Sequence, residues 1–251
     1  MNIEDETYKY YSHWTGLKMD SQKKGWFLNY YPERDIVPKG YSNSVDVYVF
    51  AANDLLVISY GNKAKTKIES IIDKINGNKN IDFIYLLFKD VFLTNVNRNI
   101  KYIFKNKNKK ENTEKSTVLN SDHWKLFIEF FKENHPNNKD YSWVKEYFTE
   151  IASKKYCHGI ILDNKLVSAT DTPDMPYMCE SVQEIGINTV KEYWGKGYAR
   201  EACISLIHEL LSRNICPLWS TGIDNIASSC LAENVGFEKL ADVLSVSIQD
   251  R

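Results

Sequence analysis

The chain lacks a long apolar run, a paired set of cysteines and an excess of charge of either sign. Its longest apolar stretches, such as Leu55-Leu56-Val57-Ile58, fall far short of the ~20 residues that span a bilayer. Met1-Asn2-Ile3-Glu4-Asp5-Glu6 is acidic and has neither the basic nor the apolar region of a secretory leader. No membrane contact is therefore expected, and the cytoplasm is the expected place. The net charge is −1, which leaves no global field to draw in nucleic acid or anionic lipid. The cysteines, Cys157, Cys179, Cys203, Cys216 and Cys230, are odd in number, widely spaced and without a Cys-x-x-Cys pair. They are expected as buried or partly buried thiols. No histidine stands at ligand spacing from a second ligand, so no metal is expected.

The chain has 251 residues, 43 % of them apolar and 26 % charged, as in an ordinary soluble globule. That length allows one large domain or two modest ones. The run 105–116 is polar and charged with no apolar residue, which marks an exposed linker. It is expected to separate an α+β amino-terminal domain, residues 1–110, from a second domain, residues 111–251. In the first part, 25–31 reads as a strand, and 45–50 with 55–60 as a hairpin around Ala51 to Asp54. Lys63 to Ile75 has helical apolar spacing ended by Asn76-Gly77, and 100–104 reads as a further strand. No catalytic constellation appears there, and His13-Trp14 reads as packing.

The second part reads as βααββ followed by βαβαβ. A short strand at 117–119 precedes a helix capped by Ser121 or Asp122 and running to about Glu133. A helix over 142–154 follows, then a hairpin of 157–162 and 166–170 turning at Asp163-Asn164. One strand is expected over 180–189. A long amphipathic helix spans 196–213, with Ala199, Ala202, Cys203, Leu206, Ile207, Leu210 and Leu211 on its apolar face. A strand at 218–221, a helix at 227–234 and a strand at 237–248 close the chain.

Chemistry concentrates where the 180–189 strand meets that helix. Gly195 and Gly197 open the helix, and the unpaired N–H groups of a helix start suit an anion such as a pyrophosphate. A dinucleotide fingerprint is a poor match. Arg200 stands where a third glycine should pack, the glycines lie several residues beyond the strand, and Asp224 is late for a ribose-binding acid. A phosphate-binding Walker loop is excluded by the missing Gly-Lys-Ser/Thr.

Trp194-Gly195-Lys196-Gly197-Tyr198-Ala199 fits the pattern Gln/Arg-x-x-Gly-x-Gly/Ala in all but its first position. Asn225 is followed eleven and twelve residues later by Gly236-Phe237. In these two segments, with Trp219 and Ser228, the chain resembles the GNAT superfamily of N-acetyltransferases, in a subgroup with an amino-terminal extension. The resemblance implies an α/β (α+β) fold: a GNAT-like mixed central sheet flanked by helices and splayed where the cofactor enters. It implies acetyl transfer from acetyl-CoA to a primary amine of a small molecule, by direct attack in a ternary complex. Acetyl-CoA as co-substrate and an amine acceptor are the expected partners, without nucleic acid or membrane, and a homodimer is an open option.

The cofactor-binding residues implied are Ile187, Asn188, Thr189, Trp194, Gly195, Lys196, Gly197, Tyr198, Ala199, Arg200 and Asn225. Backbone groups of 187–189 would pair with the pantetheine arm, and a strand N–H around Ile185 to Ile187 would hold the oxyanion. Glu184 is the candidate general base, with Glu180 the second choice. Many family members place an acidic tyrosine seven residues after the asparagine; here that residue is Ala232. Proton delivery then falls to Ser228, Ser229, Tyr198 or water. The same alanine leaves open a non-catalytic acyl-CoA-binding module.

Overall fold

The computed structural model describes residues 1–105 and 113–248. The polar run 105–116 lies mostly outside them. The first part holds α1 (Ile3–Thr15), β1 (Gly25–Tyr30), β2 (Val47–Ala52), β3 (Leu55–Tyr60), α2 (Lys65–Ser70), α3 (Ile72–Ile75), α4 (Ile81–Phe92) and β4 (Val96–Phe104). The second holds β5 (Ser116–Val118), α5 (Trp124–Asn134), α6 (Val144–Ser153), β6 (His158–Leu162), β7 (Lys165–Asp171), β8 (Val182–Glu184) and β9 (Gly186–Thr189). It ends with α7 (Tyr198–Ser212), β10 (Cys216–Gly222), α8 (Ile226–Asn234) and β11 (Phe237–Val246). This is the mixed α/β architecture that the resemblance implies, a large mixed sheet flanked by helices.

Two helices carried no expectation, although their ends are well marked. Asn2 accepts from the amides of Glu4 and Asp5 and Gly16 closes α1 in the left-handed region. Asn80 caps α4 in the same way. Elsewhere the expected boundaries shift. The helix at 63–75 breaks at Ile71 into α2 and α3. Asn120, rather than Ser121 or Asp122, caps the turn that leads into α5. The hairpin turn at Asp163 and Asn164 is as expected, both with positive φ.

Seven strands form one sheet in the order β1-β3-β2-β11-β4-β10-β8, and four form a second, β5-β6-β7-β9. In the large sheet β1–β3 and β10–β8 run parallel and the other pairs antiparallel. Strand β4, from the first part, lies between β10 and β11 of the second. The two expected domains therefore share one sheet. Alternation along its central strands fills both faces. Val47, Val49, Leu56, Ile58, Leu244 and Val246 meet α2 to α4 in one cluster, while Tyr48, Phe50, Val57 and Val243 face α1 in a larger one.

This interleaving makes the second part dependent on the first. Removing β4 withdraws the buried Tyr102, Ile103 and Phe104, each worth about 1.5–3 kcal/mol on burial. The combined loss rivals the ~5–15 kcal/mol that stabilises a typical domain. Residues 113–251 expressed alone should show no cooperative thermal transition by circular dichroism, whereas the full chain should. A cooperatively folded fragment would refute the shared-sheet dependence.

Candidate active site

The expected single strand at 180–189 is two strands with different partners. Val182, Gln183 and Glu184 pair in parallel with Cys216, Pro217 and Leu218. The Ile185 N–H donates to the Leu218 carbonyl at 2.9 Å, and there the contact with β10 ends. From Gly186 onward the chain pairs antiparallel with β7, Asp171↔Gly186 through Ser168↔Thr189. Strands β9 and β10 thus diverge from an apex at Glu184–Ile185.

Hydrogen-bond alternation decides which groups face the opening. The Val190 N–H donates to Val167 at 2.9 Å, so Val190, Asn188 and Gly186 direct their backbone towards β7. The backbone of Ile187 and Thr189 faces the gap instead. Of the three residues expected to offer backbone groups there, Asn188 is turned away, and its carbonyl accepts from the Ser168 hydroxyl at 3.3 Å.

The chain then turns through Lys191–Tyr193 into Trp194, whose indole N–H donates to the Thr189 carbonyl at 2.7 Å. That bond folds the turn back on β9. It gives Trp194, 64 % exposed, a structural role at the motif position that departs from the family pattern. Gly195 and Gly197 have φ of 72° and 82°, a region in which a Cβ is strained. A Cβ at either would meet no atom within 4 Å, so the surface above them is open. The helix starts at Tyr198 rather than 196, and no side chain caps its first turn. Its amides are left to face whatever sits above the glycines. Lys196 Nζ lies 4.7 Å from the Tyr193 ring centre, at the rim of this surface, and Tyr198, Ala199 and Arg200 are half-buried in the first turn.

Glu184, half-buried at the apex, accepts from the Ser220 hydroxyl, while its N–H meets Met175 Sδ at 3.3 Å. The sequence pointed to the acid but not to the serine that orients it, two residues beyond the paired Leu218. Glu180 is exposed before β8. On the β10 side, Asn225 caps α8 by accepting from the Ser228 N–H at 3.1 Å. The Ser228 hydroxyl accepts from the buried Trp219 indole at 3.1 Å. Ala232 is fully buried and offers no proton.

Burial pushes the Cys157 and Cys203 thiols far up, and Cys216 up to about 11, so none is a nucleophile at neutral pH. Cys179 and Cys230 are exposed, against the expectation of buried or partly buried thiols. Among the described residues no group of three or more His, Cys, Asp or Glu side chains is placed to hold a metal ion. Among them, too, no helix is long and apolar enough to cross a membrane.

An acid that the sequence did not single out, Asp171, pairs with Gly186 beside the apex. It borders a cavity of about 600 Å³ shared with Phe131, His135, Trp143 and Tyr147. Burial raises its pKa, offset in part by the Thr172 N–H and by His135.

Strands β9 and β10 thus belong to two different sheets that part at Glu184–Ile185, and α7 begins without a side-chain cap. Residues 157–242 match the family model described as GNAT acetyltransferase. Over that stretch the chain is similar to the GNAT acetyltransferase family. An acetyltransferase of the GNAT family from Colwellia psychrerythraea has a similar fold, with a TM-score of 0.55 at 14 % identity over 81 % of each chain. A GCN5-related N-acetyltransferase-like protein from Streptococcus suis aligns over 81 % of this chain and 84 % of its own at 16 % identity, with a TM-score of 0.43. No curated protein matches the chain at a significant level.

Asp171 supplies a test of its surroundings. Its folded pKa lies above its unfolded value, so its contribution to stability is full below the ordinary 3.8 and is lost as pH rises through the raised value. Asp171→Asn should therefore melt a few degrees above the parent protein at pH 7. The gap should close as the pH falls towards 4, as followed by differential scanning fluorimetry.

Proposed function

We propose that the protein moves an acetyl group from acetyl-CoA to a primary amine of a small molecule, with both bound together. The observation that carries this reading is the divergence of β9 from β10 above an uncapped helix start. The residues present fit the cofactor. The glycine surface is open, the first amides of α7 have no side-chain cap, and β9 is an edge strand. When bound, acetyl-CoA supplies the thioester carbonyl carbon as electrophile.

The chain's own residues divide the remaining work. The amides of Tyr198, Ala199 and Arg200 hold the pyrophosphate with the helix dipole behind them. Lys196 adds charge at the rim. Ile187 and the Thr189 N–H present the backbone groups with which an amide-bearing arm can pair as an added strand, the Thr189 carbonyl being taken by Trp194. The Ile187 N–H, which faces the gap and has no partner strand, is the donor for the carbonyl oxygen as charge builds on it. Glu184 accepts the proton from the attacking amine, and the Ser220 hydroxyl fixes the carboxylate that does so. With Ala232 buried, the proton for the departing sulfur comes from Ser228 or from solvent.

Removing the base separates chemistry from binding. Glu184→Gln should leave acetyl-CoA affinity unchanged by calorimetry and lower amine-dependent release of free thiol by roughly 10²–10⁴-fold. Equal turnover would reassign the base. Gly197→Val, which forces a β-branched residue into the left-handed region, should weaken acetyl-CoA at least about tenfold. Normal binding by that variant would displace the phosphate site. A second reading, an acyl-CoA-binding module without catalysis, is favoured by Ala232 alone. Thiol release that requires an added amine would decide against it.

A further inference from the structure

Between the end of α5, the start of α6 and the last residue of β7 lies the cavity of about 600 Å³. Its apolar surface is aromatic. Trp143, 46 % exposed, stands edge-on to Phe131 with ring centres 5.5 Å apart and to Tyr147 at 5.8 Å. The His135 ring lies against Phe131 at 4.4 Å. The Tyr141 hydroxyl donates to the His135 carbonyl at 2.8 Å, which pins the loop between the two helices.

Among the described residues, Asp171 is the one carboxylate lining this cavity, and no lysine or arginine lines it. The half-buried carboxylate accepts from the Thr172 N–H and is acted on by His135, and among those residues it has no ion pair. Hydration lost there is not replaced by a charge of the fold. On the same wall Asn134 spends its amide N–H on the Phe130 carbonyl at 2.9 Å. Its side-chain oxygen is therefore a second acceptor beside the cavity.

The cavity is joined to the apex by the chain itself. Asp171 pairs with Gly186. A Cβ on that glycine would stand 3.1 Å from the Asp171 carbonyl oxygen and 3.4 Å from its Cβ, so the glycine keeps this flank of the acid uncrowded. Pro173, also on the wall, accepts from the Gln183 side-chain amide at 2.9 Å. Two residues further on, Met175 Sδ meets the Glu184 N–H at 3.3 Å. The segment 171–175 thus runs from the cavity to the proposed base. Along β9 the same separation is two residues, Gly186 to Glu184, or about 7 Å of extended chain.

These walls select a ligand chemistry. A hard divalent ion needs about six oxygen ligands, which one carboxylate among aromatic rings does not supply. An anion would meet Asp171 with like charge. A neutral apolar group would cover the acid and leave it unpaired. An alkylammonium neutralises the carboxylate and rests its carbon chain on aromatic surface, which also attracts its charge. We propose that this cavity holds a second ammonium group of the acceptor, with Asp171 as counter-ion and Phe131, Trp143 and Tyr147 as aromatic wall, while the amine at the other end of a short chain reaches Glu184. The inference rests on the acetyl-transfer reading and narrows the acceptor to diamines.

The test uses the full chain with putrescine, cadaverine and hexamethylenediamine, each beside the monoamine of the same carbon chain, and reads thiol release from acetyl-CoA. For at least one length, kcat/KM should favour the diamine by about tenfold or more, after allowance for its two reactive ends. Asp171→Asn should remove that preference and Asp171→Glu should keep part of it. Equal use of both amines at every length, or a preference that survives Asp171→Asn, overturns the proposal. Tetramethylammonium, which has no N–H to acylate, probes the cavity without chemistry. Calorimetry should show that the parent protein binds it and that Asp171→Asn binds it at least about tenfold more weakly. Thiol release from monoamines and diamines alike would sink this subsite while sparing acetyl transfer. Should no amine release thiol, acetyl transfer falls, and tetramethylammonium alone judges the cavity: Asp171-dependent binding upholds the ammonium site, and equal or absent binding refutes it.

Discussion

Backbone hydrogen-bonding groups that leave a ladder must find other partners, and the stretch 182–189 leaves one ladder to join another. Up to the Ile185 N–H it belongs to β10, and from Gly186 it belongs to β7. Two sheets cannot diverge from a common strand without an unpaired edge on each side of the opening. The edge on β9 consists of the backbone of Ile187 and Thr189. The strand ends soon after, because a longer unpaired edge would be a liability. The Trp194 indole caps the last carbonyl of that edge, and the left-handed glycines turn the chain into α7. The position of Glu184 follows as well, since the last residue paired to β10 sits at the apex, within reach of Ser220.

The amino-terminal part is built into this geometry. Strand β4 supplies the neighbour that holds β10 on its far edge, so the wall opposite β9 depends on it. Helix α1 lies across the same face of the sheet and brings Tyr10, Tyr11 and Trp14 over the Glu184 side chain's surroundings. Burial raises Tyr10, Tyr11 and Tyr48 well above their ordinary range, and Glu184 adds to the effect in each. These hydroxyls stay protonated at any physiological pH and act there as hydrogen-bond donors or acceptors, never as bases.

The elements legible in the sequence are those fixed by local rules. The α7 stripe, the Asp163-Asn164 turn and the α8 cap at Asn225 each follow from periodicity or from a side chain a few residues away. The partner switch at Ile185 was not legible, because an alternating strand looks the same whether it has one partner or two. Nor was the insertion of β4, since nothing in Val96–Phe104 names the strands beside it. The helix α1 was hidden by five aromatic or apolar residues interspersed with polar ones, and its Asn2 and Gly16 caps were the signals available. The buried Arg34 gave no motif because the rings around it, Trp14, Tyr48 and Tyr177, come from three separated segments. The glycine surface was legible for the opposite reason, with strand edge, turn and helix start consecutive in the chain.

Arg34 is buried with no carboxylate partner among the described residues, and the energetics account for that. Its guanidinium rests over the Trp14 and Tyr48 rings, 5.4 and 5.3 Å from their centres, contacts worth about 0.5–2 kcal/mol each. The Glu184 carboxylate takes its own bond from the Ser220 hydroxyl. Pairing the two would surrender both sets of contacts and leave a buried ion pair, which desolvation often makes neutral at best.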